Sequence, residues 1–148
     1  METKRILLIE DNISDIELTR RALQKSHIAN ELVVKEDGQE ALDYLLGSSE
    51  NAQEKMDELP ALVLLDLKLP RVDGLQILKK IRENDRTSRL PVVILTTSSE
   101  DQDIAQSYDL GANSYIRKPV DFTQFAEAVQ RLGLYWLVIN QPAPPKTR

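Results

Sequence analysis

The chain has no cysteine and a single histidine, His27, among its 148 residues. Disulfides and thiolate metal sites are therefore excluded. Positive charge is in the minority, with 19 lysines and arginines against 24 acids and a net charge of −5. A balance of that sign has no overall pull on nucleic acid or on an anionic membrane surface, so neither is expected as a partner. No apolar run approaches the roughly 20 residues that cross a bilayer. The opening Met1-Glu2-Thr3-Lys4-Arg5 is too short and too charged for a signal peptide, and a cytoplasmic location is the expectation. What is present is the balance of a globular domain, 41% apolar and 29% charged, in a length that buries one good core.

Two kinds of segment alternate. Ile6–Ile9, Leu62–Leu65 and Val92–Leu95 are continuously apolar, as strands covered on both faces are. Leu32–Val34 and Tyr115–Ile116 are poorer and read as edge strands. Between them lie helical patterns. Ala41, Leu42, Leu45 and Leu46 share a face ahead of Gly47, and Leu75, Leu78 and Ile81 form another. Phe122, Phe125, Val129, Leu132 and Trp136 recur at steps of three and four. Ile13–Ser26 and Glu100–Leu110 are less regular, with Gly111 ending the latter. Tyr44 and Tyr108 read as core. Asp37-Gly38 and Asp73-Gly74 read as turns opening helices, and His27 as a helix-terminal residue. Alternation of this kind predicts an α/β fold. Its doubly wound, five-stranded parallel sheet has order 2-1-3-4-5 and is flanked by five helices, the flavodoxin-like arrangement. Residues 1–140 form the expected domain. Ser48–Leu59 is an expected exposed insertion with a little helix, and residues 141–148, with three prolines, an expected disordered tail.

In such a sheet, sites gather at the carboxyl ends of the strands. Strand 1 ends in Glu10-Asp11, strand 3 in Asp66 and strand 4 in Thr96-Thr97, and strand 5 leads into Lys118-Pro119. Three carboxylates at close range repel one another, so they raise a pKa or bind a cation. A few hard oxygen ligands suit Mg²⁺, which keeps waters and shares its shell with phosphate oxygens. Asp66, at the centre, can act as a nucleophile toward phosphorus and form an acyl phosphate. Phosphoryl transfer needs in-line geometry and charge neutralisation. Mg²⁺ on Asp11 and Asp66, with Glu10 through water, and Lys118 supply that charge, and the Thr96 hydroxyl can donate to a phosphoryl oxygen. Each feature alone has an ordinary explanation, such as an acidic helix cap. Their occurrence at four strand ends of one layer gives them weight.

Four segments carry a family resemblance: Leu8-Ile9-Glu10-Asp11-Asn12, Leu64-Leu65-Asp66-Leu67-Lys68-Leu69-Pro70-Arg71-Val72-Asp73-Gly74, Val93-Ile94-Leu95-Thr96-Thr97 and Tyr115-Ile116-Arg117-Lys118-Pro119. Together they resemble the receiver domain of two-component response regulators, over about residues 4–132. The resemblance implies a stand-alone receiver that takes a phosphoryl group from a histidine kinase onto Asp66. It implies no enzyme acting on a separate substrate, only a protein that catalyses its own phosphorylation and dephosphorylation. Thr96 becomes the switch hydroxyl and Tyr115 the switch aromatic, altering the face of helix 4, strand 5 and helix 5. The backbone carbonyl of Lys68 joins Glu10, Asp11 and Asp66 at the metal, and Lys118–Pro119 is expected cis. Glu10 stands where the family often has aspartate. Lys68, two residues past Asp66, could screen the phosphoryl group from water with its long cationic arm, and Ser98, two past Thr96, cannot easily orient a water, so a long-lived phosphoryl group is expected.

Leu134-Tyr135-Trp136-Leu137-Val138-Ile139 follows helix 5 and suggests either a cap on the core or a partner surface. With the helix 4–strand 5–helix 5 face it could form a homodimer. This ending resembles the receivers that pair with bacterial phytochromes, which implies a bacteriophytochrome-type kinase as partner. Three rivals remain. A flavin or nucleotide binder needs a glycine-rich phosphate loop after strand 1, where this chain has acids. A haloacid-dehalogenase-type phosphatase needs a second acid at position 68, which is lysine. A phosphorylation-independent docking module on the same fold is the alternative that keeps the architecture but not the chemistry.

Overall fold

The computed structural model describes residues 3–47, 59–144 and 146. Five strands, β1 (Lys4–Ile9), β2 (Asn30–Lys35), β3 (Leu62–Leu65), β4 (Val92–Thr96) and β5 (Ser114–Arg117), pair in parallel in the order β2-β1-β3-β4-β5. The helices between and after them are α1 (Ile13–Lys25), α2 (Gly38–Leu46), α3 (Gly74–Glu83), α4 (Asp101–Asp109) and α5 (Phe122–Leu134). The two poorest apolar runs do lie at the edges. An edge strand has one neighbour and one half-open face, so it needs less apolar sequence than a strand buried on both sides.

The central strands divide their side chains between two cores. Ile6, Leu8, Leu62, Leu64, Val93 and Leu95 meet Ile16 and Leu23 of α1 and Phe125, Val129 and Leu132 of α5. The alternate residues Leu7, Ile9, Val63, Leu65, Val92 and Ile94 meet Ala41, Leu42 and Leu45 of α2 and Ile77, Leu78 and Ile81 of α3. Strand residues point alternately to the two faces, so continuous apolar runs are required where both faces are covered. Helices α2 and α3 are each started by an aspartate side chain. Asp37 Oδ1 accepts from the Glu40 amide at 2.9 Å and Asp73 Oδ1 from the Gln76 amide at 3.0 Å.

Arg82, at the end of α3, ties the loops on the far side of this layer. Its guanidinium donates to the carbonyls of Gly111, Ser88 and Leu90 and to Asn113 Oδ1, at 2.7–3.1 Å. Gly111, which ends the α4 region, has φ +102, and a Cβ there would meet Arg82 Nε at 3.0 Å. The turn thus needs glycine both for its left-handed backbone and for the approach of Arg82.

The carboxyl-terminal segment differs from the expected pattern. After α5 the chain widens into a π-helical turn, Tyr135–Ile139. An i→i+5 turn moves the next core position from four residues beyond Leu132 to five. Leu137, not Trp136, is therefore fully buried, while Trp136 packs partly against the same core with its ring edge-on to Tyr135. Lys4 Nζ donates to the Leu137 carbonyl at 2.6 Å, fastening this turn to the start of β1.

Three further expectations need correction. Phe122 is 70% exposed, because it is the first residue of α5 and lies beyond the carboxyl edge of the sheet it was expected to cover. Tyr108 is half exposed, because α4 buries only Ser107 fully and has few apolar residues to cover it. Tyr44 does pack against the second core, and its ring faces Lys35 Nζ at 5.3 Å. The Lys118–Pro119 bond is trans, as is every peptide among the described residues. Trans is the more stable isomer of an ordinary prolyl bond. His27 follows α1 with φ 60, a left-handed residue just past the helix end. The insertion expected at 48–59 falls, but for Leu59, outside the described residues. Of the expected tail, residues 141–144 have no regular structure and are exposed.

Candidate functional site

The site is a consequence of strand register. Ile9 pairs with Leu65 across β1 and β3, so the next residues, Glu10 and Asp66, emerge side by side at the carboxyl edge. Their amides are held in line, Glu10 N–H donating to the Lys35 carbonyl at 3.0 Å and Asp66 N–H to that of Ile9 at 3.1 Å. Strand order reverses at β1, which leaves this edge open as a crevice. Thr96 closes β4 one strand further on. Lys118 follows β5, its amide donating to the Thr96 carbonyl at 2.6 Å.

The loop after Asp66 is shaped by Gly74. Its amide donates to the Leu67 carbonyl at 2.9 Å, and a Cβ would stand 2.4 Å from the Asp66 carbonyl oxygen and 2.6 Å from Leu67 Cα. Both obstacles are backbone and cannot swing aside. Gly74→Ala is therefore expected to lower stability by about 1–3 kcal/mol through overpacking. Urea denaturation would measure the loss, and an unchanged midpoint would show that this loop yields freely.

Four of the expected residues converge on one another. Carboxylate oxygens of Glu10, Asp11 and Asp66 lie within 4.8 Å of one another. Glu10 and Asp66 are buried and Asp11 is exposed at the rim. Lys118 Nζ donates to Glu10 Oε1 and, at 3.1 Å, to Asp66 Oδ2. The Lys68 amide donates to Asp66 Oδ1 at 3.2 Å, while its side chain points to solvent. Thr96 Oγ1 is fully buried and has no hydrogen-bond partner among the described residues. It nevertheless lies near enough to Asp66 to favour the ionised carboxylate. A buried hydroxyl left without an acceptor beside a carboxylate is a donor waiting for an oxygen.

Charge is unevenly shared. Burial pushes the Glu10 carboxyl up to about 7, and the charge of Asp66 adds to the effect against the opposing pull of Lys118. Burial acts on Asp66 too, but the Lys118 charge and the Thr96, Glu10 and Lys118 side chains outweigh it, and its pKa falls. For Lys118, burial is overcome by its carboxylate partners, Asp15 and Glu10 foremost, and its pKa is raised. Burial thus favours the neutral acid at Glu10, while the neighbours of Asp66 favour its anion.

Tyr115, partly buried, lies on β5, two strands from Asp66 with β4 between. Its hydroxyl donates to the Ser98 carbonyl at 2.9 Å. The Ser98 hydroxyl, also buried, donates to Asp103 Oδ2 at 2.6 Å and so faces α4. The loop that begins at Thr96 is in this way tied both to β5 and to α4.

One residue of the site was not singled out from the sequence. Asp15 Oδ2 accepts from Lys118 Nζ at 2.8 Å. The available signal was its place three residues after Asn12, whose side chain caps α1 by accepting from the Asp15 amide at 3.0 Å. A residue in the first turn of α1 sits over the strand ends from which that helix departs.

An acidic nest at the switch point of a doubly wound sheet, with a lysine and a threonine hydroxyl around one aspartate, is the arrangement of a signalling receiver domain. The chain belongs to the response regulator receiver-domain family, whose profile matches residues 6–130. It is similar to the response regulator Rcp1 of Synechocystis, with 38% identity over 143 residues, covering 95% of this chain and 94% of that protein. A crystal structure of Rcp1 in its Mn²⁺-bound form superposes with a TM-score of 0.86 at 35% identity, covering 95% and 99% of the two chains. The phosphorylated cyanobacterial phytochrome response regulator RcpA superposes with a TM-score of 0.88 at 38% identity, over 97% of this chain and all of that one. The bacteriophytochrome response regulator AtBRR is 49% identical, with a TM-score of 0.71 over 95% of this chain and 100% of its own.

Proposed function

We propose that this receiver domain, residues 1–140, is a phosphorylation switch in which Asp66 accepts a phosphoryl group from a histidine kinase. The observation that carries the reading is the ring of groups around Asp66. Glu10 and Asp11 stand beside it, Lys118 Nζ bridges Glu10 and Asp66, and the Thr96 hydroxyl lacks an acceptor among the described residues. An oxygen of Asp66 attacks phosphorus, the bond from phosphorus to the donor nitrogen or oxygen breaks, and the donor leaves with that electron pair. Lys118 and Thr96 then donate to the phosphoryl oxygens.

The donor set fits Mg²⁺, since all three carboxylates are hard oxygen ligands held close together. Glu10, Asp11 and Asp66 would hold it with the Lys68 carbonyl, and it would supply neutralising charge to the transferring group. Glu10 must lose its proton to serve, so the affinity for Mg²⁺ is expected to rise as pH climbs from about 6 to about 8. Calorimetric titration would show it, and Glu10→Gln should flatten the dependence. An equally steep rise in that variant would place the proton elsewhere.

Loss of the phosphoryl group is proposed to be slow. The Ser98 hydroxyl is engaged by Asp103, and the exposed Lys68 side chain has no acid or amide with which to orient a water at Asp66. A radiolabelled protein in Mg²⁺ buffer should keep its label for minutes or longer, and a half-life of seconds would sink the idea. Thr96 and Tyr115 are the proposed switch pair. The hydroxyl of Tyr115 already grips the loop after Thr96, so movement of one is felt by the other. A bacteriophytochrome-type histidine kinase is the proposed partner, by analogy with the similar proteins, and the cytoplasm the proposed location. A homodimer through α4, β5, α5 and the exposed Leu134, Tyr135, Val138 and Ile139 is proposed as the assembly. The direct test is incubation with acetyl phosphate and Mg²⁺ followed by intact-mass measurement. Gain of one phosphoryl group is expected, and a folded protein that never gains it would refute the reading.

A further inference from the structure

Lys118 has three ammonium protons and three carboxylate partners: Glu10, Asp15 and Asp66. Two of those partners, Glu10 and Asp66, also belong to the cluster that would receive a divalent cation, and Asp15 does not. With a cation held there, Glu10 and Asp66 would direct their charge toward it, and its charge would oppose the nearby ammonium. Asp15 is then the only remaining anionic partner of Lys118 among the contacts described.

Its backbone is well placed for that task. The Asp15 amide is held by Asn12 Oδ1 at 3.0 Å, and its carbonyl accepts from the buried Thr19 hydroxyl at 2.8 Å. A carboxylate at this helix position commonly folds back onto the amide of the capping residue. Here the Asn12 amide is taken by Glu10 Oε2 at 3.1 Å, which leaves the Asp15 carboxylate for Lys118. Its side chain is also more open to solvent than those of Glu10 and Asp66, so it grips the ammonium from the mouth of the crevice.

We propose that Asp15 is a positioning residue, whose carboxylate keeps the Lys118 ammonium in the crevice while a divalent ion engages Glu10, Asp11 and Asp66. The inference rests on the phosphorylation reading above for its consequence, but its geometry can be tested without phosphoryl transfer. The competing explanation is that Asp15 only complements the helix dipole at the start of α1. That role would alter melting temperature and would leave Lys118 untouched.

The experiment compares the intact chain with Asp15→Asn, and with Asp15→Ser should the first variant fold poorly. The first arm uses Mg²⁺ alone, following the Lys118 ammonium by nitrogen-15 NMR. The signal of a held ammonium is expected before metal in both proteins. With Mg²⁺ it should persist in the original chain and be lost to solvent exchange in the variant. The second arm adds acetyl phosphate. Asp15→Asn is expected to gain the phosphoryl group roughly tenfold more slowly at saturating Mg²⁺. The half-saturating Mg²⁺ concentration should shift by less than about threefold. Equal retention of the Lys118 signal in the two proteins, or no signal in the original chain, overturns the proposal. Equal phosphorylation rates overturn it as well. An original chain that takes up no phosphoryl group overturns the reading of Asp66 instead, and the Mg²⁺ arm still decides the role of Asp15.

Discussion

Asp66→Asn is expected to end phosphoryl incorporation completely while leaving the domain folded. The substitution is nearly isosteric. The Lys68 amide donates to Oδ1 and Lys118 Nζ to Oδ2, so the single amide oxygen of asparagine can keep one of these two hydrogen bonds while its NH2 takes the place of the other acceptor. One negative charge is removed from beside Glu10, which lies buried against it. The repulsion that helps to hold the Glu10 proton is thereby relieved. Thermal stability should change little, the lost acceptor offsetting the relieved repulsion. The chemistry cannot survive, because an amide oxygen is too weak a nucleophile to form the mixed anhydride. Intact mass after acetyl phosphate and Mg²⁺ reads the result directly. A variant that still gains the full phosphoryl mass at the original rate would move the acceptor to another residue and remove the basis of the proposed switch.

The second large effect concerns the counter-charge. Lys118 is the single cation described among Glu10, Asp15 and Asp66, and its side chain is almost wholly buried. Removing one member of a buried ion pair strands its partner, at a cost of about 3–5 kcal/mol. Lys118→Met should lose up to that amount in metal-free buffer. Glu10 will recover part of it by keeping its proton, since burial already favours the neutral acid. Because a domain of this size has roughly 5–15 kcal/mol in hand, the melting temperature should fall by many degrees without abolishing folding. The informative measurement is the response to Mg²⁺. In the variant the ion becomes the main neutralising charge, so its addition should raise the melting temperature more than in the original chain. An equal or smaller rise would mean that lysine and metal are not alternative answers to the same repulsion.

Much of this arrangement was legible from one dimension. The strand ends named Glu10, Asp11, Asp66, Thr96 and Lys118, because a parallel sheet buried on both faces needs uninterrupted apolar runs. The first polar residue after each run falls at the carboxyl edge. The strand order followed from which runs were rich and which poor. The aspartates before Gly38 and Gly74 announced helix starts through their local capping chemistry. These readings share a cause: each depends on residues close together in the chain.

Where the reading went astray, the deciding partner was distant. Phe122 fits the apolar face of α5 by spacing alone, but nothing in the spacing says where the sheet beneath the helix ends. Leu137 replaces Trp136 in the core because the last turn opens to π geometry, and Lys4, at the other end of the chain, holds the carbonyl there. Asp15 was one more acid in an acidic loop until Lys118, more than a hundred residues later, was seen against it.

The sequence by itself determined the class of fold, the layer in which chemistry is placed, and the residue types gathered there. Periodicity and composition suffice for that. Only the tertiary structure decided which carboxylate faces which, because that depends on the register of β1 against β3 and on the reach of one lysine from β5. It also decided that Thr96 is left without an acceptor among the described residues and that Asp15 closes the ring around Lys118. Coulomb energy depends on ångström separations, and those exist only once the strands have been laid side by side.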